Sequence, residues 1–327
     1  MRILVLGGTQ FVGKHIVLAA LSRGHAVSIF TRGKTGDDLP SEVERLRGDR
    51  DGDLSALGGK SWDACIDVSG YLPRAVRNSA EALKNAVSHY AFISTVSVYA
   101  DFSRAPVRED DPLIELPDPA VEEVTGETYG GLKVLCERAV TGVFGERAAL
   151  IRPDIVAGAF DPTDRFTYWP ERLSRGGEVL APGNGADLIQ WIDARDLAAF
   201  TLRAVEEQLS GAYNVAGNSL TFRDFLTRAS NEIGGQPTLT WVSAEFLEAE
   251  DVGIGELPMF VPAQSGMPGF MNVDNAHTKG AGLTLRTPED TVREVLDWAN
   301  TRKDAPRKAG LSPEREREVL ARWHARG

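Results

Sequence analysis

Gly7-Gly8-Thr9-Gln10-Phe11-Val12-Gly13 is a glycine-rich segment close to the start of the chain. It follows an apolar run of strand length at residues 3–6 and opens a segment with helical spacing at residues 12–22. Glycines allow a tight turn and a close approach of the backbone to a pyrophosphate, while a helix N-terminus offers unpaired N–H groups and a positive dipole end. The order strand, glycine turn, helix therefore predicts a dinucleotide-binding turn.

The alternation of strand and helix continues through the first half of the chain. Apolar runs of strand length occupy residues 3–6, 26–30, 63–68, 90–94 and 148–152. Helical spacing occupies residues 12–22, 73–87 and 127–143. Such an alternation builds a parallel sheet covered by helices, so we expect an α/β, doubly wound fold.

A change in composition after Arg152-Pro153 indicates a domain boundary, because the following loops are rich in Gly, Pro and Asp. Residues 189–192, 193–207 and 212–215 are regular enough to return to the first domain. We expect a dinucleotide-binding domain of residues 1–157, with residues 188–217 crossing back to it. Residues 158–187 and 218–327 would form a smaller α+β substrate domain, with predicted elements at 222–233, 238–242 and 288–301 and a terminal helix after Ser312-Pro313-Glu314.

The overall composition excludes several classes of protein. The 327 residues carry 36 Lys and Arg against 47 Asp and Glu, a formal net charge of -11, and 42% of them are hydrophobic. An acidic chain lacks the attraction that drives non-specific binding to phosphate backbones, so no nucleic-acid partner is expected. The longest apolar run, residues 16–21, is far shorter than the ~20 residues that span a bilayer. The first residues also lack the features of a secretory signal, so we expect a cytoplasmic protein without a membrane partner.

The cysteines and histidines give no sign of a disulfide or a metal site. Cys65 and Cys136 lie in apolar surroundings without CxxC spacing, so both are expected to be reduced core residues. The five histidines show no ligand spacing, and no metal is expected.

The end of the second predicted strand indicates which dinucleotide would bind. The acidic residue expected there for the ribose hydroxyls is absent, and the chain continues Thr31-Arg32-Gly33-Lys34. A guanidinium matches phosphate oxygens, so Arg32 and Lys34 favour NADP(H), with its 2′-phosphate, over NAD(H). The alternative, two solvated loop charges, stays open. The candidate cofactor contacts are Gly7, Thr9, Gln10, Phe11, Val12, Gly13, Arg32, Lys34, Asp49 and Lys133.

Three side chains form a candidate acid–base group. Tyr129 and Lys133 are four residues apart in a helical segment and share one face, and Thr95 follows a strand end, where ligands of such sheets bind. Moving a phenol pKa from about 10 to about 7 requires about 4 kcal/mol. An ammonium about 4 to 5 Å away supplies about that much, so Lys133 is expected to lower the pKa of Tyr129. Tyr129 would exchange the proton and Thr95 would orient the substrate; an ordinary helical surface pair is the alternative.

These residues together resemble the extended short-chain dehydrogenase/reductase family, which contains nucleotide-sugar epimerases, dehydratases and related reductases. The landmarks are residues 7–13, Ser94-Thr95-Val96-Ser97-Val98-Tyr99 and Tyr129-Gly130-Gly131-Leu132-Lys133, in that order. The resemblance implies that Tyr129 is the acid/base, that Lys133 holds the nicotinamide ribose and tunes Tyr129, and that Thr95 orients the substrate. The form Gly-Gly-Thr-x-Phe-x-Gly is similar to an atypical branch that includes chloroplast stem-loop RNA-associated proteins.

Departures from the family pattern narrow the expected chemistry. Gln10 stands where the family has its middle glycine, which puts a Cβ near the path of the pyrophosphate. Val96 and Ser97 replace the Asp-Glu pair of the dehydratases, so sugar dehydration is disfavoured. Ile189 and Asp154 replace an arginine and an asparagine of the UDP-sugar epimerases, which argues against a nucleotide diphosphate substrate.

The expected function is therefore an NADP(H)-dependent oxidoreductase acting on a carbonyl or alcohol of a small molecule. An NAD-dependent sugar epimerase and a non-catalytic dinucleotide sensor or RNA-associated protein remain alternatives. Candidate substrate contacts are Ser97, Arg165, Tyr168 and Trp169, against the alternative that Asp164 pairs with Arg165 and the aromatic rings pack a core. Tyr99 is expected to be a packed aromatic residue. The helix that carries Tyr129 is also a candidate homodimer surface, as in many family members, although internal packing explains its apolar faces equally well.

Overall fold

A single parallel sheet forms the centre of the first part of the molecule. The computed structural model describes residues 1–253, 255–302 and 305–326. Its strands, in chain order, are β1 Arg2–Leu6, β2 Ala26–Thr31, β3 Glu44–Arg47, β4 Trp62–Asp67, β5 Val87–Ile93, β6 Ala148–Pro153, β7 Val156–Ala157, β8 Glu178–Pro182, β9 Leu188–Ile189, β10 Ile192–Asp193, β11 Gly211–Val215, β12 Leu220–Thr221 and β13 Thr238–Val242. Seven of them form the central sheet in the order β11-β6-β5-β4-β1-β2-β3, and all of its pairs are parallel.

Helices cover both faces of the central sheet. The helices are α1 Phe11–Ser22, α2 Pro73–Leu83, α3 Tyr129–Phe144, α4 Tyr168–Ser174, α5 Ala194–Glu206, α6 Phe222–Ile233, α7 Ala244–Ala249, α8 Ala276–Gly280, α9 Pro288–Asn300 and α10 Pro313–His324. Successive side chains of a strand point to opposite faces, so Ile3 and Val5 pack in the core with α1 and α5, and Leu4 and Leu6 in the core with α2 and α3. This confirms the predicted doubly wound α/β fold.

A second apolar core lies outside the sheet and is built mainly from helices. Trp169 of α4 and Phe222 of α6 pack edge to face with ring centroids 5.2 Å apart, and residues of α9 and α10 complete the cluster. A two-stranded parallel ladder, β8 with β13, lies beside it. The chain enters this region after β7, returns to the central sheet through β11, and then leaves again.

Several predicted boundaries are wrong for identifiable reasons. β3 was not predicted because its sequence, Glu44–Arg47, is mostly charged, as suits an edge strand. Residues 189–192 do not form one strand of the central sheet, since β9 pairs with β12 and β10 with β7. Helix α2 ends at Leu83, before the predicted residue 87, because Val87 already begins β5.

Other expectations concern single residues and membrane association. Cys65 and Cys136 are both buried and unpaired. Ser312 caps α10 by accepting a hydrogen bond from the Arg315 N–H at 3.1 Å. In the part of the chain that the structure describes, no helix has both the length and the apolar character needed to cross a bilayer.

Candidate functional site

A cleft of about 790 Å³ lies at the carboxyl ends of the central strands. It includes the glycine turn after β1 and the loops that follow β2, β4 and β5, and it reaches the start of α3 and the segment after β6. The strand order changes direction between β1 and β4, and ligands of doubly wound sheets bind outside the strand ends at such a switch point.

The glycine turn has the backbone that a dinucleotide requires. Gly7 and Gly8 have φ angles of 102° and 100°, a region that favours glycine. A Cβ on Gly13 would come within 2.7 Å of the Gly8 Cα, so the start of α1 packs directly on the turn. Gln10, the N-cap residue of α1, makes no side-chain capping bond and lies exposed at the rim of the cleft. The turn therefore fits the pyrophosphate of a dinucleotide, with the N-terminus of α1 facing the cleft.

Basic and acidic side chains after β2 and β3 line one end of the cleft. Arg32, Lys34 and Asp49 all lie there, and both Arg32 and Lys34 are exposed. Neither cation forms an ion pair with any residue of the ranges described above. Arg50, which sequence reasoning missed, also lines this end, but its guanidinium is bound to the buried Asp67 at 2.6 Å.

Thr95, Tyr129 and Lys133 are brought together at the other side of the glycine turn. Thr95 follows β5 by two residues and caps the 3₁₀ turn Val96–Val98, where its hydroxyl accepts a hydrogen bond from the Ser97 N–H at 3.1 Å. Lys133 Nζ is buried and donates to the carbonyl oxygens of Gly70, at 2.8 Å, and Ile93, at 2.7 Å. All three predicted side chains line the same cleft.

The electrostatics of this group differ from the sequence-based expectation. Burial raises the pKa of Tyr129, with the neighbouring Tyr71 acting in the same direction and Thr95 and Arg165 in the opposite one. Burial also lowers the pKa of Lys133 to about 8. The prediction that Lys133 brings the pKa of Tyr129 near 7 is wrong for the protein alone, because the ammonium is held by two carbonyls and the phenol is desolvated.

The predicted substrate contacts divide into two groups. Ser97 and Arg165 line the cleft, and Arg165 does not pair with Asp164, which binds Arg302 instead. The prediction that Tyr168 and Trp169 contact the substrate is wrong, because neither residue lines the cleft. They are 4% and 0% exposed in the second core, where Trp169 Nε1 donates to the Pro258 carbonyl at 2.9 Å, because α4 turns both rings away from the cleft.

Sequence reasoning missed two aromatic residues of the cleft. Tyr71 follows β4 by four residues, and Phe270 belongs to a 3₁₀ turn, Pro268–Met271, of the second region. The strand-end rule that identified Thr95 applies to Tyr71 as well. No local signal marks Phe270, because only the chain's return from the second region brings it to the cleft.

Two residues discussed from the sequence are buried near the end of β6. Asp154 is 8% exposed, its Oδ2 accepts the Gly217 N–H at 3.2 Å, and burial raises the pKa of this carboxyl well above its usual range. Tyr99 is packed as predicted, with its hydroxyl donating to Asn214 Oδ1 at 2.6 Å and accepting from Arg152. Within the described ranges, no three His, Cys, Asp or Glu side chains cluster in a way that could hold a metal ion.

Comparison with known proteins finds a family model that is similar to part of the chain. The sequence model described as "NAD dependent epimerase/dehydratase family" matches residues 72–216. The matched segment contains the predicted Thr95, Tyr129 and Lys133. This confirms the resemblance to extended short-chain dehydrogenases/reductases that the sequence motifs carry.

Individual relatives are distant. The chloroplast stem-loop binding protein of 41 kDa b of Arabidopsis thaliana is 27% identical over 256 residues, which cover 72% of this chain and 64% of that protein. A bifunctional pinoresinol-lariciresinol reductase of Linum usitatissimum is 25% identical over 283 residues, 77% of this chain and 82% of that protein. The UDP-glucuronic acid 4-epimerase of Bacillus cereus, solved in complex with NAD, superimposes with a TM-score of 0.68 at 18% identity, over 93% of this chain and 99% of that chain, and so shows the shared fold.

Proposed function

We propose that this protein is an NADP(H)-dependent oxidoreductase that transfers hydride to or from a carbonyl or alcohol of a small molecule without a nucleotide diphosphate. The observation that carries the proposal is one continuous cleft that joins the glycine turn to Tyr129, Thr95 and Lys133. The match of residues 72–216 to an NAD-dependent family and the similarity to a reductase support a redox reaction.

The choice of NADP(H) rests on the charges at the far end of the cleft. Arg32 and Lys34 are exposed there, and a 2′-phosphate would give both cations a partner. Gly7 and Gly13 would hold the pyrophosphate at the N-terminus of α1. Lys133 would hold the nicotinamide ribose.

The side chains of the cleft suit the reduction of a carbonyl. A bound nicotinamide supplies the hydride. Because burial raises the pKa of Tyr129, its phenol is protonated at neutral pH and can donate a proton to the carbonyl oxygen. The hydroxyls of Thr95 and Ser97 line the same wall and would orient that oxygen.

Two alternatives have specific support but also contrary observations. The family name favours an epimerase, yet Ile189 is fully buried in β9 and Asp154 is buried beside β6, so neither offers a group that binds a nucleotide diphosphate. The Arabidopsis relative's name suggests binding to RNA stem-loops, but the net charge of -11 opposes it. Net oxidation of NADPH by a carbonyl substrate separates a reductase from both alternatives.

The proposal is tested by calorimetric titration with NADPH and NADH, followed by turnover assays of Tyr129→Phe on a panel of aldehydes and ketones. We expect tighter binding of NADPH, and a loss of about 10²-fold or more in kcat for the variant with cofactor affinity unchanged, because only the proton donor is removed. Tyr213→Phe, whose hydroxyl donates to the Ser210 carbonyl outside the cleft, is the control. Binding of neither cofactor, or full activity of Tyr129→Phe, would refute the enzyme.

A further inference from the structure

Arg165 is a half-buried cation in the wall of the cleft. Its Nε donates to the Thr163 hydroxyl at 3.0 Å, and that hydroxyl donates in turn to the Asp161 carboxylate at 2.7 Å. Asp161 is 1% exposed, so this chain of bonds fixes the guanidinium from its buried side. In the described part of the protein, neither Nη1 nor Nη2 of Arg165 makes a hydrogen bond, and Arg165 forms no ion pair.

The other cations of the cleft have partners or lie elsewhere. Arg50 is bound to Asp67, and Lys133 donates to two backbone carbonyls. Arg32 and Lys34 follow β2, on the far side of β1 from β5 and Thr95. Among the described lining residues, Arg165 is therefore the cation available to a ligand at the Tyr129 end.

The position of Arg165 relative to Tyr129 places it at the reacting end of the cleft. Its guanidinium is close enough to act on the pKa of Tyr129, although burial of the phenol has the larger effect and raises that pKa. The nearby Asp161 does not neutralise Arg165 by direct contact, because its oxygens accept bonds from Thr163. A positive charge without a direct partner therefore faces the region where a substrate must lie.

The other side chains that line this region indicate the chemical character of the rest of the ligand. Tyr71 and Phe270 contribute aromatic surface, and Tyr71 is 50% exposed. A single guanidinium matches the charge and the two oxygens of one carboxylate, whereas a dianionic phosphate would need further donors. We propose that Arg165 binds a carboxylate of the substrate, so that the protein acts on a small carbonyl or alcohol compound with a carboxylate and an apolar or aromatic body.

This inference rests on the proposed oxidoreductase function and names its substrate class. The carboxylate takes no part in bond making. In a reduction, a bound NADPH would supply hydride to the carbonyl carbon and become NADP⁺, while Tyr129 would give its phenol proton to the oxygen, forming the alcohol, and regain a proton from solvent. Arg165 acts before that step by positioning the substrate.

The test compares 4-formylbenzoate with 4-formylbenzamide, which have the same shape and differ in charge. Each is titrated calorimetrically into the protein with saturating NADP⁺, where no reduction takes place, and into the protein alone. We expect the wild type to bind the carboxylate at least tenfold more tightly, and Arg165→Gln to bind both compounds equally. Arg175→Gln, which removes the same charge from the exposed end of α4 outside the cleft, should keep the full preference.

Three outcomes would overturn the inference. They are equal affinity of the wild type for the two compounds, a preference that survives in Arg165→Gln, and a loss of NADP⁺ affinity in Arg165→Gln, which would assign the guanidinium to the cofactor. None of these outcomes contradicts the oxidoreductase proposal as long as NADPH binds the wild type. Conversely, a carboxylate preference in a protein that binds neither NADPH nor NADH would support the anion site and refute the enzyme.

Discussion

At the scale of single residues, Lys133 links the proposed chemistry to pH. Burial lowers its pKa to about 8, so the ammonium loses its proton as pH rises past that value. The proposed role of the charged Lys133 is to hold the nicotinamide ribose, so we expect kcat/KM for carbonyl reduction to fall above about pH 8. In Lys133→Arg the guanidinium stays charged, and the falling limb should move to higher pH. An unchanged limb in this variant would show that another group titrates.

At the scale of elements, helix α3 contains one glycine that close packing requires, Gly130, and one that it does not, Gly142. A Cβ on Gly130 would lie 2.1 Å from the Ser97 carbonyl oxygen, whereas one on Gly142 would meet no atom within 4 Å. We expect Gly130→Ala to destabilise the protein by about 1–3 kcal/mol and to reduce activity, because it pushes Tyr129 away from the turn after β5. Gly142→Ala should stabilise it by about 0.5–1 kcal/mol with activity unchanged. Denaturant unfolding and steady-state assays measure both, and equal effects would contradict the packing described.

At the scale of the whole molecule, α10 is fixed to the second core by a buried ion pair. Glu316 binds Arg172 of α4 at 2.5 Å and accepts the Leu180 N–H of β8 at 3.0 Å, with both charged side chains less than a tenth exposed. Glu316→Ala leaves the buried Arg172 guanidinium with its bonds to the Gly176 and Glu178 carbonyls but without its carboxylate partner, so we expect a loss of about 3–5 kcal/mol in unfolding free energy. Glu314→Ala, from the exposed pair with Arg317, should change it by less than about 0.5 kcal/mol. Similar melting shifts for the two variants would show that α10 is not held this way.

Features that depend on neighbours along the chain could be predicted from the sequence. Local spacing predicts the glycine turn, the first strands and α3, and it predicts α6 at the residues that the helix occupies, Phe222–Ile233. The ladder of β8 with β13 was not predictable in the same way, because its partners are some 60 residues apart and neither strand is fully apolar. The edge strand β3 was not predictable either, because its mostly charged sequence lacks the apolar run that indicates a strand.

The sequence by itself determined the fold class and the identity of Thr95, Tyr129 and Lys133 as a candidate group, since strand ends and helix spacing bring them to one cleft. Only the tertiary structure decided the directions in which the pKa values of Tyr129 and Lys133 shift, because the groups that bury them and the carbonyls of Gly70 and Ile93 come from elements distant in the chain. It also decided which residues after β6 face the cleft. Trp169 fills the second core because α4 packs against segments far along the chain. Arg165, which precedes α4, lines the cleft and is held there by Thr163.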